Sequence, residues 1–290
     1  MVVPFPPAGG ADTTARLFAA PFQTLLGQPV VVENRPGAGG TIGAAEVARA
    51  APDGTTLLLD AANQAVAPFV LKNIPFDYAT AFTPISRVTI YPLILVVKPE
   101  SPHRSLEALL ARAKAEPGTL TYSSSGNAVS NHIATVVLLR RAGADMTHVP
   151  YRGGGPALQA VLAGDVDCGF ATVASAAALV QDGRLRALAA SSAARIPSLP
   201  AVPTVAEQGF AGYDQVEWNG LYGPAGLPGP AVTRLFECCR AALADASVQG
   251  RLAGLGAIGL GTAPAEFDAW LKRERAAMAV VAREANITAD

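Results

Sequence analysis

Charge is scarce in this chain, and neither sign dominates. Asp, Glu, Lys and Arg make up 16% of its 290 residues, 22 basic against 23 acidic, for a net charge of -1. A nucleic-acid surface needs a basic stripe, and none is present. Histidine is rare as well. His103, His132 and His148 share neither metal-ligand spacing nor a cysteine neighbour, so no metal site is expected. Three cysteines, Cys168, Cys238 and Cys239, are too few for a disulfide-stapled scaffold of this size. Adjacent Cys238 and Cys239 point in different directions on a helix, so all three read as small buried apolar residues. Apolar runs stop at strand length, as at 57–59 and 93–97, whereas crossing a bilayer takes roughly 18 residues. Paired carboxylates at working spacing are missing, and so is a G-x-S-x-G elbow with a partnered histidine. No leader is visible at Met1, which sits directly on a strand. That absence is ambiguous, and we expect an exported precursor whose leader lies upstream of Met1.

What the chain does have is apolar residue, 50% of the total, enough for one large or two medium domains. Val2-Val3 reads as a strand. Ala15, Phe18, Ala19, Phe22, Leu25 and Leu26 recur at helical spacing, with Asp12 or Thr13 near the N-cap and Gly27 as the stop. "PVVVEN" reads as a buried strand, followed by the glycine-rich "RPGAGGTIG", an Ala-rich helix and a third strand in "PDGTTLLLD". Solid apolar strands between helices indicate a parallel sheet covered on both faces. The rhythm restarts after "YPLILVVKPESP". Helices over 105–115, 129–142 and 154–163 alternate with strands at "TLTYSS", "MTHVPY", "VDCGFA" and "LRALAA". A second crossing follows at "YDQVEWNGLYGPAGLP", then helices over 230–244 and 264–285. Two α/β lobes joined by a two-strand hinge are expected. Residues 1–98 with 222–290 form a discontinuous first lobe, and 99–221 an inserted second lobe, the crossings being 93–98 and 216–222.

Chemistry is expected in five loops. In "PFPPAGGAD", Pro6 and Pro7 stiffen the backbone, while Gly9 and Gly10 leave it bare, so amides at a helix start stay open to an anion. In "ENRPGAGGTIG", Gly37, Gly39 and Gly43 nearly spell a dinucleotide fingerprint, and Asp60 ends the next strand, where a ribose-binding carboxylate belongs. The third glycine of that pattern falls at Ile42, however, and 34–36 separate the strand from the glycines. "SSSGNAVSN" places Ser123, Ser124, Ser125 and Gly126 before a helix whose first turn holds Asn127 or Ser130, which suits a carboxylate or phosphate. "VPYRGGGPALQ" opens another helix with Tyr151, Arg152 and three glycines, and "FATVASA" follows Phe170. His132 and His148 read as structural. Trp218 reads as core, with the wall of a cleft as the alternative.

"VVPFPPAGGADTTARL", "PVVVENRPGAGGTIGAAEVARAAPDGTTLLL", "VPYRGGGPALQAVLAGDVDCGF" and "VPTVAEQGFAGYDQVEWNGLYGPAGLP" together resemble the Bug-type solute-binding receptors of tripartite tricarboxylate transporters. The resemblance runs in order along essentially the whole chain. It implies a type II periplasmic-binding-protein fold, with the ligand cleft between two α/β lobes. It also implies a non-enzymatic, monomeric receptor that captures a small carboxylate for membrane permease subunits, without a cofactor. Known ligands of the family are di- and tricarboxylates, acidic amino acids and aromatic acids. On this resemblance the loop 6–12 holds a ligand carbonyl or carboxylate, and the serine loop 123–126 grips a carboxylate from the other lobe. The implied ligand-binding set is Phe5, Pro7, Ala8, Gly9, Gly10, Asp12, Asn63, Ser124, Ser125, Gly126, Asn127, Tyr151, Arg152, Gly153, Gly154 and Thr172. Ala8 departs from a glycine common in the family, and Asn63, Asn127 and Asn131 stand as possible added donors. Arg152 and Arg35 are the candidate cations. The rival expectation is an NAD-dependent oxidoreductase built on Gly37, Gly39 and Asp60.

Overall fold

The computed structural model describes residues 1–7, 9–126 and 129–284, so Ala8 and Asn127 lie outside the described residues. Strands and helices alternate: β1 Val2–Val3, α1 Gly10–Leu26, β2 Glu33–Asn34, α2 Thr41–Ala48, β3 Leu58–Asp60, α3 Asn63–Val70 and β4 Phe82–Tyr91. β5 Leu93–Val97, α4 Leu106–Ala115, β6 Thr121–Ser124, α5 Ser130–Ala142, β7 Thr147–Pro150, α6 Gly154–Ala163, β8 Cys168–Thr172, α7 Val173–Gln181 and β9 Arg186–Ala190 follow. β10 Glu217–Pro224, α8 Gly229–Ala244, α9 Ala246–Gly254, β11 Ile258–Gly259 and α10 Pro264–Glu284 complete the chain. The chain forms two compact units. The first contains Met1–Ile90, Trp218–Gly254 and the stretch from Ile258, and the second contains Tyr91–Glu217 with Leu255–Ala257.

The first unit is built on a six-stranded sheet in the order β11-β4-β10-β3-β1-β2. β1 runs parallel to both neighbours, with Val2 opposite Glu33 and Leu58. α1 buries Ala11, Ala15, Phe18 and Phe22, the spacing of one helical face. Its Phe18 and Phe22 rings stack at 6.1 Å. Gly27 ends the helix in a left-handed conformation, φ 70°, as a glycine stop should. Trp218 is core: its ring is buried edge-on against Trp270 at 5.0 Å and Phe267 at 6.1 Å.

The second unit has a five-stranded sheet in the order β7-β6-β8-β5-β9. All five residues of β5 are buried, and β5 pairs antiparallel with both β8 and β9. The stretch 93–98, expected as a crossing, is therefore an inner strand of this sheet. The chain passes out of the first unit one strand earlier, at the end of β4, and returns at the start of β10; both strands belong to the first sheet and are neighbours there. β4 escapes a pattern reading because buried polar residues interrupt its apolar run. Ser86 donates to the Thr262 carbonyl at 2.9 Å, Thr89 to Asn219 Oδ1 at 3.2 Å, and the Arg87 guanidinium stacks 3.8 Å from the Trp270 ring centre. All three cysteines are buried and free.

Candidate functional site

Each sheet presents its loops in the same way. In the first unit, the carboxyl ends of the parallel strands β1, β2 and β3 lead into the loops before α1, α2 and α3. That edge is where ligands gather in open α/β sheets. Pro6, Pro7, Gly9 and Gly10 are exposed and Phe5 is half-buried. Gly9 is the N-cap of α1 and offers no side chain to it. First-turn amides have no acceptor within their own helix, which is why helix starts behind such loops are places where anions bind. Asp12, predicted as a ligand contact, is 2% exposed and braces the loop. Its carboxylate accepts from Arg16 Nε at 3.0 Å and Asn34 Nδ2 at 2.9 Å, while Asn34 also donates to the Phe5 carbonyl at 3.1 Å. Arg16 and Asn34 were not singled out in the sequence. Their signal was the helical i, i+4 spacing of Asp12 and Arg16, which does not reveal Asn34.

The glycine-rich loop serves this neighbour. A Cβ on Gly43 would lie 2.8 Å from the Arg35 carbonyl and 3.0 Å from Pro4 Cα. A Cβ on Gly40, which sits at φ 91°, would lie equally close to Asn63 Nδ2, at 2.8 Å. The glycines thus let α2 approach the backbone at Pro4 and Arg35, and let the Asn63 side chain lie against Gly40. Asp60 has no exposure and accepts from Ala61 N at 2.9 Å and Gln64 Nε2 at 2.8 Å. A ribose hydroxyl cannot reach it, so the dinucleotide pattern loses both supports. Replacing Gly43 by alanine is expected to destabilise the chain by about 1–3 kcal/mol, since backbone atoms must give way. Urea unfolding measures this, and an unchanged midpoint would contradict the packing role. Arg35 is spoken for by Glu33 at 2.8 Å and Glu46 at 3.3 Å. Both polar atoms of Asn63 are buried without a hydrogen-bond partner, and the amide lies near enough to Asp60 and Tyr78 to offset part of the rise in pKa that burial imposes on each.

In the second unit, parallel β7, β6 and β8 end side by side, before α6, α5 and α7. Tyr151 N donates to the Ser124 carbonyl at 2.9 Å and Gly153 N to the Ser125 carbonyl at 3.3 Å. The two predicted loops are thereby tied together. Gly153, at φ 110°, requires glycine, whereas a Cβ on Gly154 meets nothing within 4 Å. Arg152 and Gly154 are exposed. Ser125 is half-buried, and its amide and hydroxyl both reach Asn131 Oδ1, at 3.3 and 3.2 Å. Asn131 also donates to the Phe170 carbonyl at 3.2 Å, anchoring the loop on β8. Ser124 is different: its hydroxyl has no exposure and turns inward. It donates to the Gly126 carbonyl at 2.7 Å and contacts His148 Nε2 at 2.6 Å. "FATVASA" is not a loop, because α7 begins at Val173 with Thr172 as its N-cap and the Thr172 hydroxyl bonded to Ser175 Oγ at 2.9 Å. α5, like α1, starts without a side-chain cap.

Comparisons with known proteins show the family and the fold. The model of the tripartite tricarboxylate transporter family receptor matches residues 14–258. A UPF0065 protein from the tcbD-tcbE intergenic region of Pseudomonas sp. strain P51 is 38% identical over 264 residues, covering 91% of this chain and 79% of its own. Protein BugT of Bordetella pertussis is 36% identical over 286 residues, covering 98% and 88%. Among solved structures, the periplasmic binding protein BugD superposes with TM-score 0.76 at 33% identity, over 99% of this chain and 97% of BugD. A Rhodopseudomonas palustris protein with adipate gives TM-score 0.79 at 32% identity, over 99% and 97%. MatC of the same organism, with bound malate, gives 0.76 at 32%, over 97% of both chains. A match across most of the sequence and a shared fold lead to one conclusion: the chain belongs to the family of tripartite tricarboxylate transporter receptors.

Proposed function

We propose that this protein is a periplasmic, non-enzymatic receptor that captures a small carboxylate and presents it to permease subunits of a tripartite tricarboxylate transporter. The observation that carries the reading is where two of the chain's uncapped helix starts fall, at the loops 6–10 and 123–126. α1 at Gly9 and α5 at Val129 both begin behind polar or glycine-rich loops with no side chain filling the cap. Amides held that way stabilise an anion through hydrogen bonds and the helix dipole, with no full positive charge required. Adipate and malate, the ligands of two relatives, have this chemistry. In the second unit the donors are the first turn of α5 and the Ser125 hydroxyl, which turns from Asn131 Oδ1 to the ligand on binding, with exposed Arg152 on the loop whose Tyr151 and Gly153 amides hold the Ser124 and Ser125 carbonyls.

A thermal-shift screen with malate, adipate, citrate, glutamate, benzoate and NAD tests the reading. A ligand at a hundred times its Kd should add about 2.7 kcal/mol of stability. A shift with NAD and none with any carboxylate would restore the oxidoreductase. No shift with any compound would point to an interaction protein instead. Replacing Ser125 by alanine should weaken carboxylate binding roughly tenfold, the loss of about one hydrogen bond to a charged acceptor. Calorimetry checks this, and unchanged affinity would remove the hydroxyl from the site.

A further inference from the structure

Tyr122 and Ser124 are two residues apart on β6 and share one face of it. The parallel register places His148 opposite Tyr122, so all three side chains converge there. His148 stacks on the Tyr122 ring at 4.9 Å and on the His132 ring of α5 at 4.0 Å, with 10° between the imidazole planes. The edge of the His148 ring then meets Ser124 Oγ at 2.6 Å.

Counting protons at Ser124 decides what that contact is. The hydroxyl has one hydrogen. It goes to the Gly126 carbonyl, 2.7 Å away, because a carbonyl can only accept. Gly126 N–H donates back to Ser124 Oγ at 3.3 Å. A short contact to His148 Nε2 is then a hydrogen bond only if the histidine is the donor. Two lone pairs facing each other at 2.6 Å in a buried place would cost the desolvation of both.

We propose that His148 is a positioning residue for carboxylate capture: in its Nε2–H form it donates to Ser124 and thereby locks the Gly126 peptide in the ligand-facing loop. Gly126, at φ 144°, has backbone freedom that must be restrained if its loop is to be preorganised. The chain His148 to Ser124 to Gly126 supplies that restraint from beneath. The proposal rests on the carboxylate-receptor reading for its effect on binding. Its hydrogen-bond direction does not depend on that reading.

The titratable rings packed on His148 are those of His132 and Tyr122. Burial pushes the His132 pKa down to about 4 and the Tyr122 phenol up, so both are neutral at pH 7. Burial also lowers the His148 pKa. When His148 does take up a proton, the imidazolium keeps its Nε2–H, so acid leaves the bond to Ser124 in place. A bare Nε2 acceptor would instead lose its bond on protonation.

Nitrogen-15 NMR of the ligand-free protein at pH 7.5 reads the direction outright. The chain has three histidines, so His103→Gln and His132→Gln suffice to assign the signals. The Nε2–H tautomer is the expected result, and an Nδ1–H tautomer with bare Nε2 overturns the proposal. Calorimetry with malate and adipate reads the consequence. His148→Leu should weaken binding by more than tenfold. His148→Gln, whose amide can replace the Nε2–H, should stay within about threefold of the wild type. Leucine binding as well as histidine, or glutamine as poorly as leucine, overturns the positioning role. Between pH 7.5 and 5.5 the wild type should hold its affinity relative to His148→Gln, and a relative fall contradicts the donor assignment. If neither malate nor adipate binds the wild type, the receptor reading is at fault, and the tautomer measurement still decides the hydrogen bond.

Discussion

Replacing Gly9 by valine is expected to reduce carboxylate affinity at least a hundredfold while leaving the fold intact. Gly9 is exposed, at φ -77° and ψ 170°, a backbone conformation open to any residue. A Cβ there meets the Pro6 carbonyl at 3.7 Å, an ordinary contact. Valine is a poorer N-cap than glycine, a cost of about 1 kcal/mol or less to α1. The branched methyls nevertheless occupy the open side of the loop. A carboxylate kept from two amide donors loses on the order of 3–6 kcal/mol, since hydrogen bonds to charged groups contribute about 1.5–3 kcal/mol each. Calorimetry with the tightest carboxylate of the screen measures the loss, and a melting curve on the same sample shows whether the fold survives. Wild-type affinity in Gly9→Val would move the anion site away from the start of α1.

The second large effect is a pH dependence of stability carried by Asp60. Complete burial outweighs its hydrogen bonds from Ala61 N and Gln64 and raises its pKa from 3.8 to about 7. A raised pKa in the folded state means that folding takes up a proton. The neutral carboxyl stabilises the fold fully below pH 3.8, and this contribution is lost as the pH rises toward 7. Some three pKa units amount to on the order of 4 kcal/mol. Asp53, Glu207 and Asp245, with lowered pKa values, pull the other way. They are present in wild type and Asp60→Asn alike, so they cancel in the comparison. Urea unfolding at steps between pH 4.5 and 8 should show wild-type stability falling relative to Asp60→Asn by most of that amount. Parallel curves would mean that Asp60 stays ionised when folded. Burial raises the pKa values of Tyr78 and Tyr222, whose hydroxyls have no hydrogen-bond partner, and the same carboxylate adds to the shift.

Local periodicity and glycine placement carried much of the architecture. Ala15, Phe18 and Phe22 announced α1 and Gly27 its end, while the loops at Gly9, Gly126 and Gly153 stand at strand-to-helix junctions as the pattern required. Such features are legible because a helix face, a left-handed stop or an uncapped start depends on residues within a turn or two of one another. The roles of individual side chains were not legible. Asp12 braces Phe5 through Asn34, which comes from another strand. Asp60, at a position suited to ribose, is sealed against Gln64. Arg35 is held by two carboxylates, and β5 is an inner strand rather than a crossing. Among the serines, Ser124 and Ser125 look alike in the chain, yet the alternation of β6 and its register with β7 turn Ser124 toward His148 and leave Ser125 half-exposed. A strand's pleat sends neighbouring side chains to opposite faces. Which face becomes core, and which partner lies there, is set by segments distant in sequence that only the folded sheet brings together.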